Sequence, residues 1–345
     1  MIKQIELAHL NPIIFDSKSK SLYRSPLNIL LRFLRMVKII GVYTYFLIRG
    51  KISLLYISLS GGWGQIYELI IIAISKIFKI KIYIHHHSFA YLNRKKQLTK
   101  YILNISQKNA IHIVLCERME RLLKNYNSNI KTHIISNTAF LPNQEFCKEL
   151  LSKKQLTIGF LSNISFDKGI RDYIEVMKFL STKLHIIGII AGPYTDKISK
   201  TYLEDNLKLL NNIDYIGRIN NEQKKNFFEQ TDILLFPTNY SNEAEPLVIH
   251  EAMSFGVPVI ARSGGCIKQI IDTKCGIVFN ENEDFIKNSF NVITKLMESN
   301  DTLNKLKLQS YDTFNERKIN NLISLDNLIE EMASQVRIKI QPNLE

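Results

Sequence analysis

Two acidic residues, Glu243 and Glu251, lie eight positions apart in a segment that alternates apolar runs with turns. An apolar run at residues 232–238 precedes them, and a second run at residues 257–261 leads into Gly264-Gly265. This order predicts a strand, a loop, a helix, a second strand and a glycine loop, which is half of a βαβ crossover. Because ligands of open parallel sheets bind at the carboxyl ends of strands, the two acids are candidate site residues.

The predicted helix begins with Pro246, which suits the first helical position because its missing N–H would have no partner there. The amides of Leu247 and Val248 would be free at this helix start and would favour an anion. Helical side chains lean toward the N-terminus, so the Glu251 carboxylate is expected to lie over these amides. Glu243 is expected to border the same site. The arrangement predicts a nucleotide-sugar site, whereas an isolated acid pair is more often a solvated loop residue and a salt-bridged helix residue.

The longer pattern is more specific than the acid pair. Ala252-Met253, residues 256–261 and Gly264-Gly265 follow the glutamates in order, and the whole resembles the signature of the retaining GT-B glycosyltransferases of family four. The resemblance implies an α/β fold of two Rossmann-like domains that face each other across a cleft. It also implies that Glu251 binds the nucleotide ribose and that Glu243 contacts the transferred sugar.

The resemblance extends upstream to the diphosphate and base sites. The family has an arginine and a lysine that bind the diphosphate, and this chain has Asn163 in the arginine position and Lys168 in the lysine position. Lys168 near a helix start is a point-charge phosphate ligand; a solvated loop lysine is the alternative. Gly217 and Arg218 correspond to the part that lines the base pocket. Since no Asp-x-Asp motif occurs, we expect a nucleotide diphosphate sugar as co-substrate, with no metal and no cofactor.

The predicted strand at residues 81–84 continues into His85-His86-His87. Successive side chains of an extended segment point to opposite faces, so at most His85 and His87 point together. No carboxylate or cysteine lies nearby in sequence, which makes a metal site a weak interpretation. By the resemblance, this strand end borders the acceptor side of the cleft, where a neutral or cationic imidazole suits the sugar or the leaving phosphate. His85 and His87 therefore join Glu243 as candidate catalytic residues, and the sequence does not choose between them.

The positive charge is concentrated in the first half of the chain. Residues 1–150 contain 22 Lys and Arg against 7 Asp and Glu, a net of +15, whereas residues 151–345 contain 23 against 25. A basic half predicts an anionic partner, either nucleic acid or an anionic membrane surface. The sequence contains no zinc-finger spacing and no RNA-binding motif, so nucleic acid is not the expected partner.

Residues 27–49 are the segment that best fits an anionic surface. Arg32, Arg35 and Lys38 recur at three-residue spacing in an apolar context, which on a helix gives a basic stripe beside an apolar face. Such a helix packs on the sheet of its domain or lies on anionic lipid, and one helix can do both. With no run of 18 uncharged apolar residues and no secretory pattern, we expect a cytoplasmic protein, peripheral on the inner face of the membrane.

The predicted organisation is an acceptor-binding domain at residues 1–150 and a donor-binding domain with a helical tail at residues 151–345. Residues 2–8 are expected to form a short first strand. The expected function is a hexosyltransferase-type glycosyltransferase that transfers a sugar, with retention, to a hydroxyl of a lipid-linked glycan in surface polysaccharide assembly, such as lipopolysaccharide O-antigen, capsule or exopolysaccharide. The alternatives are a GT-B epimerase or phosphorylase, and a non-catalytic nucleotide-sugar or glycan-binding subunit. Asn163, in the position of the family's arginine, is the feature that favours the binding subunit.

Overall fold

The computed structural model describes residues 1–8, 10–15, 26–144, 155–182 and 185–340. The chain forms two compact units, of which the first is Met1–Ile135 with Leu322–Glu345 and the second is Ser136–Asn321. Each unit contains one parallel β-sheet and helices. Two Rossmann-like α/β units of this kind match the predicted fold class, the GT-B architecture.

The sheet of the first unit has four parallel strands in the order β1-β2-β3-β4. Every residue of β3 is buried, as are all but the first residue of β2. Apolar strands of this kind are typical of a parallel sheet that is covered on both faces. The strands are β1 (Leu54–Leu59), β2 (Lys81–His86), β3 (Ala110–Val114) and β4 (Lys131–Ile134).

The sheet of the second unit has six parallel strands in the order β10-β9-β8-β5-β6-β7. Its first strand in the chain, β5, lies between β6 and β8, so the chain order changes direction there. The position between the neighbouring strands β5 and β8, where the chain order reverses, is the topological switch point of the sheet. The strands are β5 (Leu156–Leu161), β6 (Ile186–Ala191), β7 (Ile213–Tyr215), β8 (Ile233–Phe236), β9 (Val259–Arg262) and β10 (Gly276–Phe279).

Helices connect the strands in both units. In the second unit, buried side chains of α6, α11, β5, β6 and β8 form one apolar core that supports the sheet. The helices of the described residues are α1 (Ile2–Leu7), α2 (Pro26–Ile48), α3 (Gln65–Ile77), α4 (Gln97–Ser106), α5 (Glu117–Lys124), α6 (Ile170–Ser181), α7 (Lys197–Leu207), α8 (Asn221–Gln230), α9 (Leu247–Ser254), α10 (Ile267–Ile270), α11 (Phe285–Glu298) and α12 (Asn300–Ile340).

The prediction of a first strand at residues 2–8 is wrong. Residues 2–7 form helix α1, in which the amide of Ile5 donates to the carbonyl oxygen of Met1 at 3.0 Å. Strand β1 is the edge of the described sheet and has no strand on its outer side. A segment without a partner strand pairs its own backbone groups by forming a helix, and the Ile5 side chain is buried.

The compact units begin and end at different residues from the predicted domains. The second unit starts at Ser136, and α12 carries the chain back into the first unit from Leu322 onward. There, Glu331 of α12 accepts hydrogen bonds from Tyr83 Oη at 3.2 Å and from His133 Nε2 at 3.1 Å. The predicted division between residues 150 and 151 lies outside the described residues.

Helix α2 has a packed half and an exposed half. Met36, Tyr43 and Leu47 are buried, and Tyr43 Oη lies 2.6 Å from Ser75 Oγ of α3. The first half faces solvent, although most of its side chains are large and apolar. Among the described residues, no helix is long and apolar enough to cross a bilayer. The exposed apolar residues of this half are Leu27, Ile29, Leu30, Leu31, Phe33, Leu34 and Val37.

Candidate functional site

The candidate site lies at the carboxyl edge of the second sheet, where β5 and β8 are neighbours. Lys168, in the loop after β5, donates from Nζ to Oε2 of Glu243, in the loop after β8, at 2.5 Å. The Lys168 ammonium also lies 4.6 Å from the centroid of the Tyr240 ring. The Lys168–Glu243 ion pair therefore spans the topological switch point, the place where doubly wound sheets bind ligands.

Backbone contacts hold these two loops together. The amide of Asn239 donates to the carbonyl oxygen of Asp167 at 2.8 Å. Gly169 has a φ of +86°, and a Cβ at this position would lie 2.2 Å from the carbonyl oxygen of Pro237. Because only glycine has no Cβ and adopts this backbone readily, the loop of Lys168 can approach the end of β8 this closely.

The start of helix α9 lies one residue later than predicted. Pro246 is the N-cap, with an extended backbone (φ −65°, ψ 118°), and its carbonyl oxygen accepts from the amide of Ile249 at 3.2 Å. Proline fixes φ but not ψ, so it can occupy the cap as well as the first turn. The amides of Leu247 and Val248 have no hydrogen-bond partner within the part of the chain that the structure describes. The helix start therefore offers two unpaired N–H groups.

Glu251 lies one turn into α9 and forms an ion pair with another helix. Its Oε1 accepts from Nζ of Lys224, on α8, at 2.7 Å. The two side chains are largely buried, with exposed fractions of 19% and 28%. Each glutamate of the predicted acid pair thus has its own lysine partner, and the start of α9 lies between them in the chain.

The Gly264-Gly265 turn packs against the backbone of the Glu243 loop. The amide of Cys266 donates to the carbonyl oxygen of Ala244 at 2.8 Å. Gly265 has a φ of +46°, and a Cβ there would lie 2.2 Å from the carbonyl oxygen of Glu243. The glycine that the sequence pattern singled out therefore sets how closely β9 and its turn approach the candidate site.

We expect Gly265→Ala to destabilise the second unit by at least about 2 kcal/mol, because it adds left-handed strain to a backbone clash. Urea unfolding followed by circular dichroism measures this loss. Gly264→Ala is the matched control, since a Cβ at Gly264 meets nothing within 4 Å. Equal stability of the two variants would contradict the prediction.

Asn163, Gly217 and Arg218 lie at the same edge of the sheet as the ion pair. The Asn163 and Arg218 side chains are exposed in the loops after β5 and β7. The amide of Gly192 donates to the carbonyl oxygen of Gly217 at 2.7 Å, which joins the loops after β6 and β7. In the described ranges, no hydrogen bond joins Asn163 or Arg218 to the Lys168–Glu243 pair. Their proposed contacts with diphosphate and base remain predictions.

A buried hydrogen-bond network, which the sequence pattern did not predict, lies next to the candidate site. The Glu245 carboxylate accepts from Ser136 Oγ at 2.5 Å and from the amide of Asn137 at 2.6 Å, and His250 Nε2 lies 3.0 Å from its Oε1. Both Glu245 and His250 are almost inaccessible to solvent. The network fixes the turn at residues 137–140 against the start of α9. The signal available in the sequence was the presence of Glu245 and His250, two ionisable residues, beside the apolar residues at the start of α9.

The three consecutive histidines at residues 85–87 divide between two faces of the strand, as the alternation predicts. The rings of His85 and His87 are 3.8 Å apart between centroids, whereas His86 Nε2 lies 2.9 Å from Nδ1 of His112. His85 is buried and its Nδ1 lies 2.6 Å from Tyr56 Oη, whereas His87 is exposed. Of the two candidate catalytic histidines, His87 is therefore the one that faces solvent.

Burial keeps the inner histidines neutral. It is the main cause that lowers the pKa of His85 to about 2, and the nearby His87 adds to this effect. Burial also lowers the pKa of His112 to about 3. Burial therefore disfavours the cationic form of His85 near neutral pH. No group of three or more His, Cys, Asp or Glu that could hold a metal is present in the described parts of the chain.

A family model matches the unit that contains the candidate site. Residues 143–313 match the model of the glycosyl transferases group 1, and this range lies within Ser136–Asn321. The match covers β5 to β10, and therefore includes both lysine–glutamate pairs.

Two curated proteins are similar to part of the chain. An uncharacterized 41.2 kDa protein in the cps region of Klebsiella pneumoniae is 25% identical over 221 residues, which is 59% of this chain and 58% of that protein. The alpha-monoglucosyldiacylglycerol synthase of Acholeplasma laidlawii is 26% identical over 134 residues, which is 38% of this chain and 33% of that enzyme. Both matches span less than two thirds of the relatives' own lengths.

Solved structures share the fold over most of the chain. Anabaena HepE in complex with UDP-glucose has a TM-score of 0.65 at 15% identity and covers 96% of this chain and 88% of its own. The sucrose-phosphate synthase of Thermosynechococcus elongatus has a TM-score of 0.67 at 13% identity, with coverage of 92% and 82%. TarM has a TM-score of 0.66 at 20% identity, with coverage of 84% and 58%.

The fold and the site together define an α/β protein of the GT-B class, built from two Rossmann-like halves. Residues 143–313 of the chain are similar to the glycosyl transferases group 1.

Proposed function

We propose that this protein is a retaining glycosyltransferase that transfers a sugar from a nucleotide diphosphate sugar, bound on the second unit, to a hydroxyl of a glycan. The observation that carries the proposal is the Lys168–Glu243 ion pair at the switch point. There the Lys168 ammonium, which we assign to the diphosphate, donates a hydrogen bond to the Glu243 carboxylate, which we assign to the sugar. The family match over the same unit supports the proposal.

Each site residue has a role that its chemistry permits. Lys168, Asn163 and the amides of Leu247 and Val248 stabilise the charge that develops on the leaving diphosphate. Glu243 orients the sugar and Glu251 binds the ribose, as the resemblance implies. Gly217 and Arg218 border the base. No metal is required in this scheme, because an ammonium and backbone donors supply the positive charge.

A thermal-shift screen tests the donor site. We expect one of UDP, GDP, ADP or CMP, or a sugar derivative of one of them, to raise the melting temperature selectively by mass action. The shift should be the same with and without EDTA. A shift that EDTA abolishes would contradict metal-free binding, and no shift with any nucleotide would contradict the donor site.

The proposed acceptor is a lipid-linked glycan at the inner face of the cytoplasmic membrane, within surface polysaccharide assembly. A relative from a cps region supports the pathway class. The name of a second relative describes the synthesis of a glucosylated diacylglycerol. The exposed half of α2 combines large apolar side chains with Arg32 and Lys38, which suits the surface of an anionic bilayer.

We expect Arg32→Glu/Lys38→Glu to reduce co-sedimentation with anionic vesicles by roughly tenfold or more, since each basic residue near such a surface contributes about 1 kcal/mol. Vesicles with and without phosphatidylglycerol measure the effect. Lys208→Glu/Lys225→Glu is the control, because it changes the charge equally at exposed positions of the second unit. Equal binding to neutral and anionic vesicles would contradict the proposal.

A non-catalytic nucleotide-sugar or glycan-binding subunit is the second candidate. Asn163, in place of the arginine that the resemblance leads us to expect, is the observation that favours it, because it removes one cation from the diphosphate site. The Glu243 variant described in the Discussion separates the two candidates.

A further inference from the structure

Lys224 is a half-buried cation whose role the proposed mechanism leaves open. It lies in the first turn of α8, and its Nζ is 2.7 Å from Glu251 Oε1. The next residue, Lys225, provides a contrast: its side chain is 61% exposed and lies 3.7 Å from Glu229, one turn along the same helix. Lys225 is a solvated surface residue, whereas Lys224 reaches across to another helix.

The helix turn that bears Lys224 is fixed at both ends. Asn220 and Gln223 form a capping box, with hydrogen bonds of 2.9 Å in each direction, so the first turn is held in place. Further along α8, the ring of Phe228 stacks on Phe255 at the end of α9, with 5.4 Å between centroids. Since α8 packs against α9 through these rings, Lys224 presents its ammonium to Glu251 from a rigid support.

The ion pair occupies only half of the Glu251 carboxylate. Lys224 contacts Oε1, and Oε2 has no hydrogen-bond partner among the residues that the structure describes. A carboxylate with one oxygen bound to an ammonium is restricted in rotation and keeps acceptor capacity on the other oxygen. Ribose presents hydroxyl donors that match such a free oxygen.

We propose that Lys224 is a positioning residue of the donor site, which holds Glu251 so that its free oxygen accepts a hydrogen bond from a ribose hydroxyl. This inference rests on the proposed function, in which Glu251 binds the ribose. Lys224 itself does not contact the nucleotide. Its removal therefore affects only ligands that carry the hydroxyl that Glu251 recognises.

Deoxynucleotides test this role because they lack the hydroxyl in question. Isothermal titration with UDP, 2′-deoxy-UDP and 3′-deoxy-UDP, and with the corresponding GDP series, measures the preference for the ribose form. In the wild-type chain we expect the ribose form to bind roughly tenfold or more tightly than at least one deoxy form, as for a hydrogen bond to a charged acceptor.

The expected result is a collapse of that preference in Lys224→Met. The affinity for the ribose form should fall roughly tenfold, whereas the affinity for the deoxy form should change less than about twofold. Lys224→Arg should retain most of the preference, because it keeps a cation facing Oε1. Lys225→Met, the matched control on the same helix, should bind like the wild type.

Two results would overturn the inference while leaving the donor site intact. In the first, Lys224→Met weakens ribose and deoxy forms equally, which is the signature of a structural role or of a direct phosphate contact. In the second, both Lys224 variants keep the wild-type preference. If the wild-type chain bound no nucleotide, the proposed function would fail and the inference with it, so the two failures are distinguishable.

Discussion

Replacing Glu243 with glutamine should lower turnover by about a hundredfold or more, which is the scale seen when one preorganised electrostatic group is removed from a transition state. Nucleotide binding should survive. In the structure Glu243 neutralises Lys168 at 2.5 Å, so the substitution releases the ammonium toward the diphosphate. We therefore expect UDP to bind as tightly as to the wild type, or more tightly. Steady-state transfer rates and titration calorimetry measure the two quantities separately.

The matched control is Glu229→Gln, at a half-exposed acid that pairs with Lys225 on α8. It should leave both rate and affinity unchanged. A Glu243→Gln variant with more than about half of the wild-type turnover would remove Glu243 from the reaction. A wild-type chain that binds nucleotide sugar, yet transfers no sugar to any acceptor, would favour the binding subunit.

The local pattern was sufficient to predict several strands of the two sheets. The apolar runs at residues 81–84, 232–238 and 257–261 located β2, β8 and β9, because parallel strands buried on both faces are continuous apolar segments. The failure at residues 2–8 has a physical origin: whether a short apolar segment becomes a strand depends on a partner strand, and local sequence does not specify the partner.

Predicting the site depended on how far its members lie apart in the chain. Glu243, Pro246 and Glu251 lie within one loop and one helix, so their spacing was readable. The contact between Lys168 and Glu243 spans 75 positions and follows only from the strand order, which places β5 beside β8. Because the sequence pattern does not specify strand order, it could identify both residues but not their pairing.

Pairings that involve ionisable side chains near the core were the least predictable. Lys224 occupies a helix position in a polar run, where nothing distinguishes it from Lys225. Its burial arises from the packing of α8 on α9. Glu245 and His250 pair with each other inside the protein, and such a pairing is visible only once both are placed. His85 and His87 lie on the same face of the strand, as the alternation predicts. His85 is buried and His87 is exposed, and the sequence pattern did not specify this difference in exposure.

Lys168→Met should weaken UDP binding by roughly 30- to 100-fold, the range for loss of a hydrogen bond to a charged group. The loss has two causes. The substitution removes a cation that is only 21% exposed, and it leaves the Glu243 carboxylate facing the diphosphate without a counter-ion. Titration calorimetry measures the affinity. Lys178→Met, which removes a partly exposed lysine that pairs with Glu175 on α6, is the control and should bind like the wild type.

The double variant Lys168→Met/Glu243→Gln separates these two causes. If the diphosphate lies beside the ion pair, removing the carboxylate relieves repulsion, and the double variant should bind UDP roughly tenfold more tightly than Lys168→Met. Raising the salt concentration should narrow that difference, because screening weakens charge repulsion. If the double variant bound UDP no more tightly than Lys168→Met, the diphosphate would lie beyond the reach of Glu243. The assignment of Glu243 to the transferred sugar would then have to be abandoned, while Lys168 could still bind phosphate.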